Sequence, residues 1–225
     1  WLRLLRYGLP SGMEFFLDIL GFTVFVFVVG RLGTLELAAT NIALNVNALA
    51  FMPLVGFSMG TSTLVGQAMG AGRPDEVPMV VRASLILTFA YLGALSAIFL
   101  LAPGPVLYLF QPRDMDPAAF AAVAEMGRVL LMIVVAYLFF DGVSFIVYAA
   151  LKGAGDTIFV MVSRLGLVLA VMVGPLVLGV WLGLGLYYFW GVSCTFLVLL
   201  SVVGWWRYRQ GKWRNMLVVE WTRPQ

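Results

Sequence analysis

The chain has 225 residues, 62% of them apolar and 11% charged, with a net charge of +3. Soluble domains carry about 25% charged residues, so the deficit excludes an ordinary water-exposed surface and points to lipid as the main solvent. Histidine is absent, which removes Ser-His-Asp catalysis, Cys-His catalysis and every His-ligated metal site. The lone Cys194 can form no internal disulfide, and in its apolar run it reads as a small packing residue.

Breaker residues divide the chain into six apolar segments, and a bilayer crossing takes roughly 20 apolar residues. The first runs from Gly8 to Gly30 and contains "SGMEFFLDILGF". The second runs from Glu36 to Met69. Pro53 lies inside it and should kink it, because proline removes a backbone donor and crowds the turn before it. The third runs from Val77 to Leu101 and is ended by "APGP". The fourth runs from Pro117 to Leu151, with its membrane core from Val129 onward. The fifth, Ile158 to Trp181, carries Gly174-Pro175, and the sixth runs from Leu184 to Trp206. Pro53 with Gly56, or Gly174-Pro175, are bending points or packing irregularities. GxxxG spacings at Gly56/Gly60 and Gly66/Gly70 allow close helix contact.

The expected fold is all-α and integral to the membrane: a six-transmembrane-helix bundle forming one lobe over residues 1–225, with no long hydrophilic linker. The opening "WLRLLR" is too short for a signal peptide, and a start at Trp1 suggests a fragment or a processed chain.

Six spans leave both termini on one side. That side receives Arg3, Arg6, Arg73, Arg82, Lys152, Arg164, Arg207, Arg209, Lys212, Arg214 and Arg223, while Arg31, Arg113 and Arg128 fall on the other. Cytoplasmic loops of membrane proteins are enriched in Lys and Arg. The asymmetry therefore places the termini, "GAGRPDEV" and "KGAGDT" in the cytoplasm, with the chain in the inner (plasma) membrane. It also reads the positive charge as orientation rather than as affinity for nucleic acid. No cofactor is expected.

Two acids lie deep in these segments: Asp18, near the middle of the first, and Asp141, in "AYLFFDGVSF" of the fourth. An isolated charge at the bilayer centre costs ~2.5–3.5 kcal/mol on insertion scales. Either they are neutral, hydrogen-bonded acids joining helices, or they form an ion or substrate site in a wet cavity. Glu14 and Asp18 share a helix face at i,i+4, so if both are ionised a cation must sit beside them. Glu14 is nearer the cytoplasmic end and is either part of that site or solvated. Asn41 and Asn45 are also i,i+4, flanked by Thr40 and Asn47, and their oxygens suit a hard cation such as Na⁺ or serve to bond helices. Tyr137, one turn before Asp141, is placed to donate a hydrogen bond or to set its ring beside a cation. These residues make Asp18 and Asp141 the Na⁺ candidates.

"YGLPSGMEFFLDILGF", "GRLGTLELAATNIALNVNALAFMPLVGFSMGTSTLVGQAMGAGRP", "FFDG" and "LKGAGDT", in that order, resemble the second half of the MATE family, the multidrug and toxic compound extrusion transporters. The likeness covers nearly the whole chain and implies the carboxyl-terminal six-helix lobe. Such proteins set two lobes in a V around a central cavity and exchange cationic, amphipathic compounds for Na⁺ or H⁺. The resemblance carries a cation site onto Asp18, Asp141, Tyr137, Asn41 and Asn45. Glu14 matches no acid of the family's site. The chain departs from the family in size: the other lobe is absent, which implies a fragment or a half-transporter pairing with a second copy about a two-fold axis. The implied partners are a small cationic substrate, the bilayer and that second lobe.

Three other functions compete with this one. "GAGD", Gly153 to Asp156, fits the GxGD pattern of intramembrane aspartyl proteases, but along one helix Asp141 and Asp156 would stand ~22 Å apart. A helix stop and an N-cap by Asp156 explain that turn more simply. An ion channel would need a longer polar pore. A lipid-linked flippase of the same superfold would need more cationic residues facing its cavity.

Overall fold

The computed structural model describes residues 2–111 and 116–216. Trp1, Arg113 and Arg223 lie outside the described residues. The described residues contain eight α-helices and no strand: α1 (Leu2–Gly30), α2 (Thr34–Gly70), α3 (Val77–Leu101), α4 (Pro103–Leu109), α5 (Pro117–Gly153), α6 (Thr157–Leu167), α7 (Gly174–Trp181) and α8 (Leu186–Arg209). Six helical stretches among the described residues are long and apolar enough to cross a membrane, α6 and α7 jointly forming the fifth. Apolar side chains such as Leu101, Leu109 and Trp181 stand on the surface, an arrangement that lipid rather than water accommodates.

The six expected segments are present with ends shifted by a few residues, except that α1 starts earlier, at Leu2. The "APGP" stop does more than end a helix. It opens the short α4, because proline in the first turn loses no hydrogen bond that the helix would have made. Helix α2 runs unbroken through Pro53. Regular α geometry gives way in the fifth span, where Val168–Val173 widens into a π-helical stretch just before Gly174-Pro175. Pro175 has no N–H, and its ring crowds the carbonyl one turn back; a wider turn relieves both.

Helix α5 is the centre of the bundle, packed against α2, α3 and α8. Its span is the most buried of the six, as befits a helix apolar on every side. Helix α1 lies against α6 and the π-helical stretch. There Gly21 meets the sulfur of Met172, 3.0 Å from where a Cβ would stand.

The expected GxxxG contacts are not the close ones. Gly56, Gly60 and Gly70 have no described atom within 4 Å of an added Cβ, and only Gly66 approaches α5, through the carbonyl of Gly153. The tight crossing of α2 and α5 is made by Gly153 itself, whose added Cβ would lie 2.4 Å from the backbone oxygen of Ser62. Only a residue without a side chain lets the two backbones approach so closely.

Candidate cation site

The site is assembled by three helix faces. On α1, Glu14, Asp18 and Gly21 recur at helical spacing. On α5, Asp141, Ser144, Tyr148 and Lys152 do the same. On α6, the buried face is Thr157, Val160 and Arg164. Residues three and four apart share a helix face, so packing α1 against α6 beside α5 brings these polar groups together.

Glu14 is buried, not solvated. Its Oε2 lies 3.2 Å from Lys152 Nζ, and its Oε1 lies 3.4 Å from Arg164 Nε. Arg164 Nη1 donates to Asp18 Oδ2. The Arg164 side chain is 9% exposed while that of Asp18 is 41% exposed, so this pair is open on the acid's side. Tyr148 covers the guanidinium, with the Arg164 Cζ 5.4 Å from its ring centroid. The tyrosine hydroxyl pairs with Ser163 Oγ at 3.3 Å.

Asp141 is also buried and lies within electrostatic range of both Asp18 and Arg164. No ion pair reaches it among the described residues. Ser144 Oγ donates to the Asp141 backbone carbonyl at 2.8 Å and only brushes the carboxylate at 3.5 Å. The three carboxylates thus have unequal partners: Glu14 has two cations, Asp18 has one, and Asp141 has none.

Tyr137 is buried one turn before Asp141, but its hydroxyl donates to Asn47 Oδ1 of α2 at 3.2 Å rather than to a carboxylate. Thr40 is held by Trp190, whose Nε1 donates to its Oγ1 at 3.2 Å. Asn41 and Asn45 are exposed on α2, and no hydrogen bond among the described residues joins them to the acids. Among the described residues, no three acidic or thiol side chains converge into a metal-ligating set. A monovalent cation here would be shared between carboxylates and neutral oxygens.

Two readings are corrected by this geometry. Arg164 is not a loop charge marking the cytoplasmic side; it sits within the fifth span, about 10 Å along the axis from Thr157 at 1.5 Å per residue, and is a member of the site. A lone arginine in "VSRLGL" was the available signal, since the cost that makes Asp18 conspicuous applies equally to it. Asp156 does not cap α6 through its side chain. Its carboxylate forks onto Arg207 of α8, with Nε to Oδ2 at 2.7 Å and Nη2 to Oδ1 at 3.2 Å. That engagement also leaves it unavailable to act as one of a pair of proteolytic aspartates.

The chain resembles known membrane proteins over most of its length. The family model MatE matches residues 10–176. A probable multidrug resistance protein NorM from Pseudomonas syringae is 31% identical over 213 residues, which are 90% of this chain and 45% of that relative. Its counterpart from Xanthomonas campestris is 33% identical over 155 residues, 69% of this chain and 32% of the relative. The chain therefore spans less than half the length of these relatives. Two solved structures share its fold. One is a MOP superfamily transporter from Pyrococcus furiosus described as having a binding pocket of reverse polarity, with TM-score 0.74 and 21% identity over 99% of this chain and 48% of that one. The other is a multidrug resistance MATE family transporter in an outward-facing conformation, with TM-score 0.74 and 20% identity over 97% of this chain and 47% of that one. With a family model covering most of its length and a six-span fold shared with such transporters, this multi-pass membrane chain belongs to the MatE family.

Proposed function

We propose that the chain is the carboxyl-terminal lobe of a secondary transporter that exports cationic, amphipathic compounds in exchange for Na⁺ or H⁺. The lobe works beside a second six-helix lobe, either the other half of a longer chain or another copy. It sits in the plasma membrane with both termini in the cytoplasm, an orientation favoured by the excess of Lys and Arg on that side.

One observation carries this reading: the half-open carboxylate of Asp18 and the carboxylate of Asp141, unpaired among the described residues, within electrostatic range of each other between membrane-spanning helices. Acids retained at that depth mark ion or substrate pathways. A cation or proton that binds Asp18 and Asp141 neutralises the site and weakens its hold on a positively charged substrate. Coupling follows if the ion binds the two conformations of the transporter with different affinity, since a ligand shifts an equilibrium only by that difference. Tyr137 orients the α5 face through Asn47, and Asn41 and Asn45 present amide oxygens along the substrate route. The two basic groups of the cluster are both engaged with carboxylates, so they offer little to the anionic headgroup of a flipped lipid.

Asp18→Asn and Asp141→Asn variants of the transporter, reconstituted in vesicles with an imposed Na⁺ or proton gradient, test the reading. Ion-driven efflux of a fluorescent organic cation should fall at least about tenfold in each, the scale of an ordinary coupling free energy. Wild-type efflux in both variants refutes it.

A further inference from the structure

The cluster contains a cation of its own. Arg164 is anchored on α6, covered by Tyr148, and bound to acids on α1. Its Nε is buried with no aligned hydrogen-bond partner among the described residues, the 3.4 Å approach to Glu14 being Coulombic only. The guanidinium is thus held tightly by none of its surroundings except Asp18. Of the two acids it touches, Glu14 has a second cation in Lys152, whereas Asp18 pairs with Arg164 alone among the described residues.

Charge balance gives this arrangement a consequence. Glu14, Asp18 and Asp141 carry three negative charges when ionised, and Arg164 and Lys152 carry two positive ones. One negative charge remains, which is room for one monovalent cation. Its place is between Asp141, which has no cationic partner among the described residues, and the exposed side of Asp18.

We propose that Arg164 is a tethered competitor for the coupling cation. It holds Asp18 when the site is empty of ions and yields that carboxylate when a cation enters, swinging fully onto Glu14. The residue thereby sets the affinity of the site and limits it to a single monovalent ion. An opposite charge within about 4–6 Å favours the ionised carboxylate and so competes directly with any other cation for it. The inference rests on the cation-site reading above.

The test uses the transporter carrying this lobe, in detergent or nanodiscs, with Na⁺ as the probe at alkaline pH, where protons compete least. Choline keeps ionic strength constant, and binding is followed by tryptophan fluorescence. The wild type should bind Na⁺ saturably with a Hill slope near one, and D141N should abolish it. R164Q should bind Na⁺ about tenfold more tightly, the scale of removing one neighbouring positive charge. Its stoichiometry, read by equilibrium binding of radioactive Na⁺, should also rise from one ion to two, because the charge balance then admits a second ion. The double variant R164Q/E14Q restores the balance, and its stoichiometry should return to one ion. R164K keeps the charge but loses the planar fork, and its affinity should rise by a smaller factor, about threefold. If R164Q does not fold, R164K and the double variant carry the test. Unchanged Na⁺ affinity in R164K, or in R164Q where it folds, overturns the role of Arg164 while leaving the site intact. Wild-type Na⁺ binding that is insensitive to D141N overturns the site and the inference with it, whereas no Na⁺ binding at all overturns the inference and leaves proton coupling at the site standing.

Discussion

Asp156 and Asp18 are both acids set in an apolar chain, and each meets an arginine from another helix. At the turn between α5 and α6, the two oxygens of Asp156 engage two nitrogens of Arg207, and Phe159 closes over the guanidinium with its ring centroid 4.6 Å from Cζ. Charge is matched one to one, and the carboxylate is buried. Between α1, α5 and α6 the pairing is uneven: three acids face two bases, one acid is half exposed, and one has no cationic partner among the described residues. Bidentate pairing fixes geometry and discourages exchange, whereas an unmatched charge keeps a place for a mobile ion. The contrast teaches that burial of a charge does not by itself mark function; what separates the two clusters is whether every buried acid has a cationic partner among the described residues.

If that contrast holds, variants of the two regions should separate stability from ion response. The largest stability loss is expected from Arg207→Ala, which strands Asp156: about 3 kcal/mol, the lower end for breaking a buried pair, because Arg207 is partly exposed. It should lower the thermal midpoint of the purified protein and leave the Na⁺ dependence of surviving transport unaltered; a changed Na⁺ dependence would break the distinction. Gly153→Ala, beside the same turn, should come next, at about 1–3 kcal/mol, since its Cβ would overlap a backbone oxygen. Failure to destabilise would mean that α2 and α5 cross less closely than described. Smallest is Tyr137→Phe, one turn before Asp141, which removes one hydrogen bond to Asn47 and should cost about 1 kcal/mol, with a modest loss of ion affinity. A larger drop in affinity than in stability would show the hydroxyl touching the ion directly.

The six spans were legible because lipid demands a minimum length of apolar helix, and breakers such as Gly30, Gly33 and Gly183 interrupt such runs cleanly. The acids were legible for the same reason, as charges where charge is costly. Partners were harder. Arg164 was absorbed into a charge count that treats every basic residue as a loop marker, although its position inside the fifth apolar run argued otherwise. The bond from Tyr137 to Asn47 joins residues of α5 and α2 whose pairing depends on how the helices rotate, and no local spacing encodes that. The fork from Asp156 to Arg207 displaced an expected helix cap because a charged partner from α8 outcompetes the backbone N–H groups nearby.

The widened turn at Val168–Val173 gives the fifth span two mechanically unequal halves. The first half begins at Asp156, which is riveted to α8, and it carries Arg164. The second, beyond the wide turn, meets α8 without an ion pair among the described residues: the Tyr188 hydroxyl donates to the Pro175 carbonyl at 3.1 Å, and Gly179 lies against the Tyr188 and Phe189 rings. A lever hinged there would move its far arm while its foot, and the arginine planted on it, stayed put. The charge cluster would then act as a fulcrum, keeping its registry with α1 while the opposite end of the span swept through lipid.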